Sequence, residues 1–196
     1  MRGRLLVLLT LAALTTAGCG LPGHSRSHQQ VGARAATLRA AFNASAADTR
    51  VLALVSPTCG TCLLGATVMQ HAVFAKISSG RLRGFIVWVP KLGAQQHNVA
   101  GATPTIPDPR ATHYWDGAGY LIHAYPAVLG LDTDAWDVYL LYPPGVRWTG
   151  STPPRPAYWM QQLTHASEPD GAGAWLNGRT FAAHVRATLK TEHQRG

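Results

Sequence analysis

The sequence has 196 residues, 46% apolar and 13% charged, enough for one domain to bury a core without disulfide staples, and it excludes bulk disorder. Its net charge of +8 comes from 17 basic against only 9 acidic residues, so scarce acids set it more than abundant bases. The arginines are scattered and not interleaved with aromatics, which argues against a nucleic-acid partner and leaves a mild attraction to anionic surfaces such as phospholipid.

Arg2 and Arg4 precede a ten-residue apolar stretch, 5–14, too short to span a bilayer comfortably and suited to a secretory h-region. Thr15, Thr16, Ala17 and Gly18 then lead to Cys19, and small residues before a cysteine resemble a bacterial lipobox, with Thr16 where such motifs usually hold Leu or Val. Residues 1–18 are therefore read as a signal peptide and Cys19 as the lipidated start of an exported, membrane-anchored chain. Ordinary cleavage near Ala17, giving a secreted or periplasmic protein, is the alternative. Residues 19–30 are polar and read as a flexible tether, 31–190 as a single domain, and 191–196 as a polar tail.

Val31, Ala35, Leu38 and Phe42 fall at helical spacing and predict a first amphipathic helix. Residues 50–55 form a short continuous apolar run, the pattern of a strand covered on both faces, which Pro57 ends. After Cys59 and Cys62 a proline-free segment, 63–77, predicts a helix whose face would hold Leu64, Val68, His71 or Ala72, and Ala75. A second buried strand is expected over 82–89, and a loop over 91–110. Residues 111–129 read better as a helix around 113–125 than as a hairpin about Gly117 and Gly119. A strand at 137–142 is expected to turn at Pro143, Pro144 and Gly145 and return at 146–148. Residues 150–157 read as a linker and 158–163 as a short helical turn. Thr180 is the expected cap of a last helix with Phe181, Ala182, Val185 and Leu189 on one face.

Cys59 and Cys62 are two residues apart, so a disulfide between them closes almost no loop and makes a poor staple. A helix start gives such a pair a use. The first-turn backbone N–H groups are unpaired and partly positive, which favours a thiolate at Cys59. Cys62, one turn on, would be less exposed and placed to attack a mixed disulfide at Cys59.

The segment 51–62 (VLALVSPTCGTC), followed by an apolar helix, a buried strand, a hairpin and a C-terminal helix, resembles the thioredoxin-like superfamily over roughly 31–190. The long segment before the hairpin is closer to its exported TlpA-like and Sco-like branches. The resemblance implies an α/β fold, a central mixed sheet flanked by helices. It also implies catalytic roles for Cys59 (attacking) and Cys62 (resolving) in thiol–disulfide exchange with extracytoplasmic proteins, without a cofactor. Thr58 stands where the family usually has an aromatic, Thr61 where it often has proline, and Ala53 where reducing members bury a carboxylate. The family also sets a cis-proline beside the thiols, just before the hairpin. That position falls near Trp136 and Asp137, where there is no proline; Pro109 is the alternative.

Two thiolates also suit a soft ion such as Cu(I), so a copper-binding or metal-centre assembly protein using Cys59 and Cys62 is the second reading. Tetrahedral zinc needs two further ligands, and there is no second CxxC. Sco-like copper proteins add a distant histidine, for which His97, His113 and His123 are candidates; His24 and His28 lie in the tether, and His71 reads as a solvated or core-edge residue of a helix. A non-catalytic interaction domain is the third reading. Trp115 and Trp136 read as packing residues, or as a peptide-binding lip beside the thiols. Asp116 and Asp137 are not near any base in sequence, and no acid–base dyad is assigned to them.

Overall fold

The computed structural model describes residues 24–163 and 172–193. The expected signal peptide, Cys19 and the last residues of the expected tail lie outside the described residues. The chain begins with β1 (His28–Gln30), a 3-10 turn (Ala33–Ala35), α1 (Ala36–Ala44) and β2 (Thr49–Val55). α2 (Gly60–Met69) runs through a π-helical turn (Gln70–Phe74) and leads to β3 (Leu82–Trp88). Then come α3 (Gln96–Ala102), β4 (Ala111–Trp115), α4 (Tyr120–Ala124) and α5 (Pro126–Leu129). β5 (Val138–Tyr142), β6 (Tyr158–Gln161), β7 (Ala174–Trp175) and α6 (Gly178–His193) complete the fold.

The strands form one mixed sheet in the order β1-β4-β3-β2-β5-β6-β7. β1, β4, β3 and β2 are parallel neighbours, whereas β5 runs antiparallel to both β2 and β6. Helices cover both faces, so β2 and β5 are buried along their whole length, as their unalternating apolar sequences require. One core joins Val51, Ala53 and Val55 to Cys62, Ala66 and Met69 of α2 and to Phe181 and Val185 of α6. The other joins Leu52 and Leu54 to Leu38 and Phe42 of α1 and to Leu121 and Leu129. This is the α/β fold the resemblance implies, with a central mixed sheet flanked by helices. No described helix is long and apolar enough to cross a membrane.

Several elements differ from the sequence-based expectations. Residues 28–30, expected in the tether, pair with β4 as an edge strand. Residues 111–115 are strand rather than helix, because β-favouring Thr112, Tyr114 and Trp115 lie just before Asp116, whose carboxylate accepts from the Tyr120 and Leu121 N–H groups and starts α4 only there. The loop expected over 91–110 contains α3, opened by a capping box between Gln95 and Asn98.

The hairpin's returning strand is β6, not 146–148. Asn43 exchanges hydrogen bonds with the Trp148 backbone, and the buried Arg50 guanidinium donates to the Val146 and Pro143 carbonyls, so that segment is tied to the corner between α1 and β2. α2 buries Cys62, Gly65, Ala66 and Met69, while the expected face residue Leu64 is 60% exposed. With apolar residues all round the helix, spacing alone does not single out the face that is buried. The cap of α6 is Asn177, whose Oδ1 accepts from the Arg179 and Thr180 N–H groups, rather than Thr180.

Candidate active site

β2 ends at Val55, and the turn over 56–58 delivers Cys59 to the N-cap of α2. Ser56 Oγ donates to the Lys91 carbonyl at 2.7 Å, and Thr58 Oγ1 contacts the Lys91 and Leu92 carbonyls at 3.2 and 3.1 Å. The turn is thereby fastened to the chain leaving β3. Lys91 Nζ also pairs with Asp134 Oδ2 at 3.0 Å and lies 5.6 Å from the Trp136 ring centre. One residue thus ties the segment before Cys59 to the segment before β5.

The two cysteines are free thiols in the structure. Cys59 is 4% exposed and Cys62 fully buried, so both sulfurs lie within the core. The Cys62 N–H donates to Cys59 Sγ at 3.3 Å, and Thr61 Oγ1 lies 3.0 Å from the same sulfur. The unpaired amide of a helix's first turn meets the thiol, as the sequence predicts. Burial pushes the Cys62 thiol well up from its ordinary value, and the Asp137 charge and a hydrogen bond with Cys59 add to the effect.

Asp137 is the residue that sequence reasoning passed over. It lies just before β5, 1% exposed, with a left-handed φ of 53°, and a carboxylate oxygen falls within 4.8 Å of both cysteine sulfurs. Tyr139 Oη donates to its Oδ1 at 2.7 Å. With the Gln162 amide oriented to satisfy its neighbours, its nitrogen also donates to Oδ1 at 3.2 Å and to the Thr61 carbonyl at 3.2 Å. Oδ2 is buried with no hydrogen-bond partner. Burial raises the Asp137 carboxyl above the usual carboxylate range, while Tyr139, and Thr61 and Cys62 facing it more loosely, pull it back.

The register explains this placement. Ala53 of β2 sits opposite Tyr139 of β5, and directly opposed residues share a face of the sheet. The expected carboxylate position on β2 therefore holds a methyl group, and the carboxylate arrives from the neighbouring strand with Tyr139 beside it. Gly65 makes room for this: a Cβ there would lie 1.9 Å from the Tyr139 hydroxyl and 2.7 Å from Cζ of its ring. The signal available in the sequence was an acid at the very position, near 136–137, that the resemblance sets beside the thiols.

The remaining candidates do not join the site. His113 is buried, accepts from Trp88 Nε1 at 3.1 Å and bonds the Ile106 carbonyl through Nε2 at 3.0 Å. Burial lowers its imidazole to about 4. His123 pairs with Asp134 at 3.0 Å, and His97 is exposed on α3. His24 and His71 are exposed, and His28 lies in β1 near Gln96. Trp115 is core, while half-buried Trp136 borders the site beside Asp137. No peptide bond among the described residues is cis, so neither Pro109 nor 136–137 supplies the expected cis-proline. Pro109 instead borders a small polar pocket with Arg26, Gln29 and His113.

No family model and no curated protein matches this chain. Among solved structures it is similar to a secreted Mycobacterium tuberculosis disulfide oxidoreductase homologous to E. coli DsbE, with 13% identity over 72% of this chain and 82% of that one and a TM-score of 0.45. It is also similar to MTB DsbF in its mixed oxidized and reduced forms, with 15% identity over 72% of this chain and 81% of that one and the same TM-score of 0.45. At such identity and superposition the likeness does not reach the site, whose chemistry follows from its own residues.

Proposed function

We propose that this protein is a thiol–disulfide oxidoreductase acting on exported proteins, with Cys59 as nucleophile, Cys62 as resolving thiol and Asp137 as proton acceptor for Cys62. The observation that carries the reading is the convergence of a helix-capping thiol, a buried second thiol and a buried carboxylate with one unoccupied oxygen. The basic and then apolar N-terminal segment supports action outside the cytoplasm, and the small residues before Cys19 support a lipid anchor there.

The chemistry balances within the site and its substrate. The Cys59 thiolate attacks one sulfur of a substrate disulfide, forming a mixed disulfide and releasing the other substrate sulfur as a thiolate. Cys62 gives its proton to Asp137, and its sulfur attacks Cys59 Sγ. The Cys59–Cys62 disulfide forms, and the second substrate thiolate leaves and takes up a proton. The substrate gains two electrons and the pair loses two; run backwards, the same steps oxidise a substrate dithiol. A buried thiol reluctant to ionise needs an acceptor within reach, and Asp137 answers that need.

Exchange with a disulfide-bonded model protein tests this reading. Cys59→Ser is expected to abolish exchange, and Cys62→Ser to accumulate mixed disulfides at Cys59. Unchanged exchange in both variants would contradict it.

A further inference from the structure

Among the described residues, Cys59, Cys62 and Asp137 form a group in which three donor atoms suited to a metal converge, all within 4.8 Å of one another. All three residues are buried and both thiols are unbonded. Asp137 adds an independent sign. Its Oδ1 is held by Tyr139 and the Gln162 amide, while its Oδ2 is buried without a partner. An unsatisfied carboxylate oxygen in such a place is costly unless something meets it.

We propose that the reduced site binds a zinc-class divalent cation through the Cys59 and Cys62 thiolates and an Asp137 carboxylate oxygen, with a fourth position left open. The inference uses the same residues as the exchange reading and treats metal and disulfide as alternative occupants of the two sulfurs. Two thiolates alone would suit Cu(I) as well as zinc; a carboxylate is a hard oxygen ligand and favours the divalent ion. Three negative donors against a double positive charge also offset the cost of burying thiolates.

The dimensions fit. Bond lengths of about 2.3 Å to sulfur and about 2.1 Å to oxygen place tetrahedral donors roughly 3.5–3.8 Å apart. The donors here lie within 4.8 Å of one another, so no pair has to close by more than about 1.3 Å to hold an ion. Tyr139 and Gln162 take the role of outer partners that orient a ligating carboxylate. Gly60 and Thr61, beside Cys59, are exposed, so the surface lies one residue from the first thiol.

The test titrates the reduced full chain, without oxygen, with Zn2+ against a chromophoric chelator, and with Co2+ to read thiolate-to-metal absorption. One equivalent is expected to bind, with no binding after oxidation and exchange blocked until a chelator is added. Asp137→Asn is expected to weaken Zn2+ affinity at least about tenfold, and Tyr139→Phe to weaken it about tenfold through the carboxylate it holds. The second variant decides the matter if the first does not fold. No competition with the chelator, equal affinity in both variants, or capture of Cu(I) with Zn2+ ignored would overturn the inference. Exchange is assayed separately on metal-free protein. Exchange without zinc binding overturns only the metal site; zinc binding without exchange overturns only the oxidoreductase.

Discussion

Two aspartates sit at the two ends of the connection between β4 and β5, Asp116 just after β4 and Asp137 just before β5, and both are almost wholly buried. Asp116 is fully occupied: Oδ1 accepts from the Tyr120 N–H at 3.1 Å and Oδ2 from the Leu121 N–H at 2.7 Å. Asp137 is held on one oxygen only and leaves the other beside two thiols. Burial raises both carboxyls. What separates them is therefore not burial or titration but whether the hydrogen-bonding capacity is used up by the fold. A capped carboxylate builds structure, and a half-satisfied one beside nucleophiles is available for chemistry.

That contrast breaks if the two residues respond alike to substitution. Asp137→Asn is expected to slow exchange by about 10²–10⁴-fold, the usual contribution of a positioned proton acceptor, with thermal stability held or raised because a buried charge is removed. Asp116→Ala is expected to leave the exchange rate of folded protein unchanged. It should lower stability by about 1–3 kcal/mol for each buried N–H left without its acceptor, measured by denaturant unfolding. A variant of Asp116 that loses exchange while staying folded would erase the distinction.

A third effect, on stability and not on exchange, concerns a buried titratable group with both ring nitrogens bonded, His113. In the folded protein it stays neutral down to about pH 4, whereas in the unfolded chain it takes up a proton near its ordinary 6.5. Between those values the unfolded state binds more protons, so stability falls as pH drops, by roughly 1.4 kcal/mol per pH unit. His113→Gln is expected to flatten that slope in unfolding curves taken between pH 4 and 6.5. An unchanged slope would assign the acid sensitivity to other groups.

The parts of this molecule legible in the sequence are those with a strong local signal. Unbroken apolar runs announced β2 and β3, and the spacing of Leu38 and Phe42 announced α1. The helix-capping place of Cys59 followed from the strand, proline and CxxC in succession. What remained hidden depended on long-range contacts. Trp148 is drawn away from a hairpin by Asn43, 105 residues distant. Asp137 meets Cys62 only because β5 pairs antiparallel with β2, which no spacing reveals. Ala53 places a methyl group on β2 where the resemblance leads one to expect a carboxylate, and the buried acid beside the thiols is Asp137, just before β5. Gly65 leaves room for Tyr139 beside that acid, since a larger residue would collide with it.

The most direct test of the account is the rate at which Cys62 resolves a mixed disulfide formed at Cys59, measured by rapid mixing in metal-free wild type and Asp137→Asn. The mixed disulfide is expected to form at nearly the same rate in both and to persist at least about a hundredfold longer in Asp137→Asn. Equal lifetimes in the two proteins would contradict it.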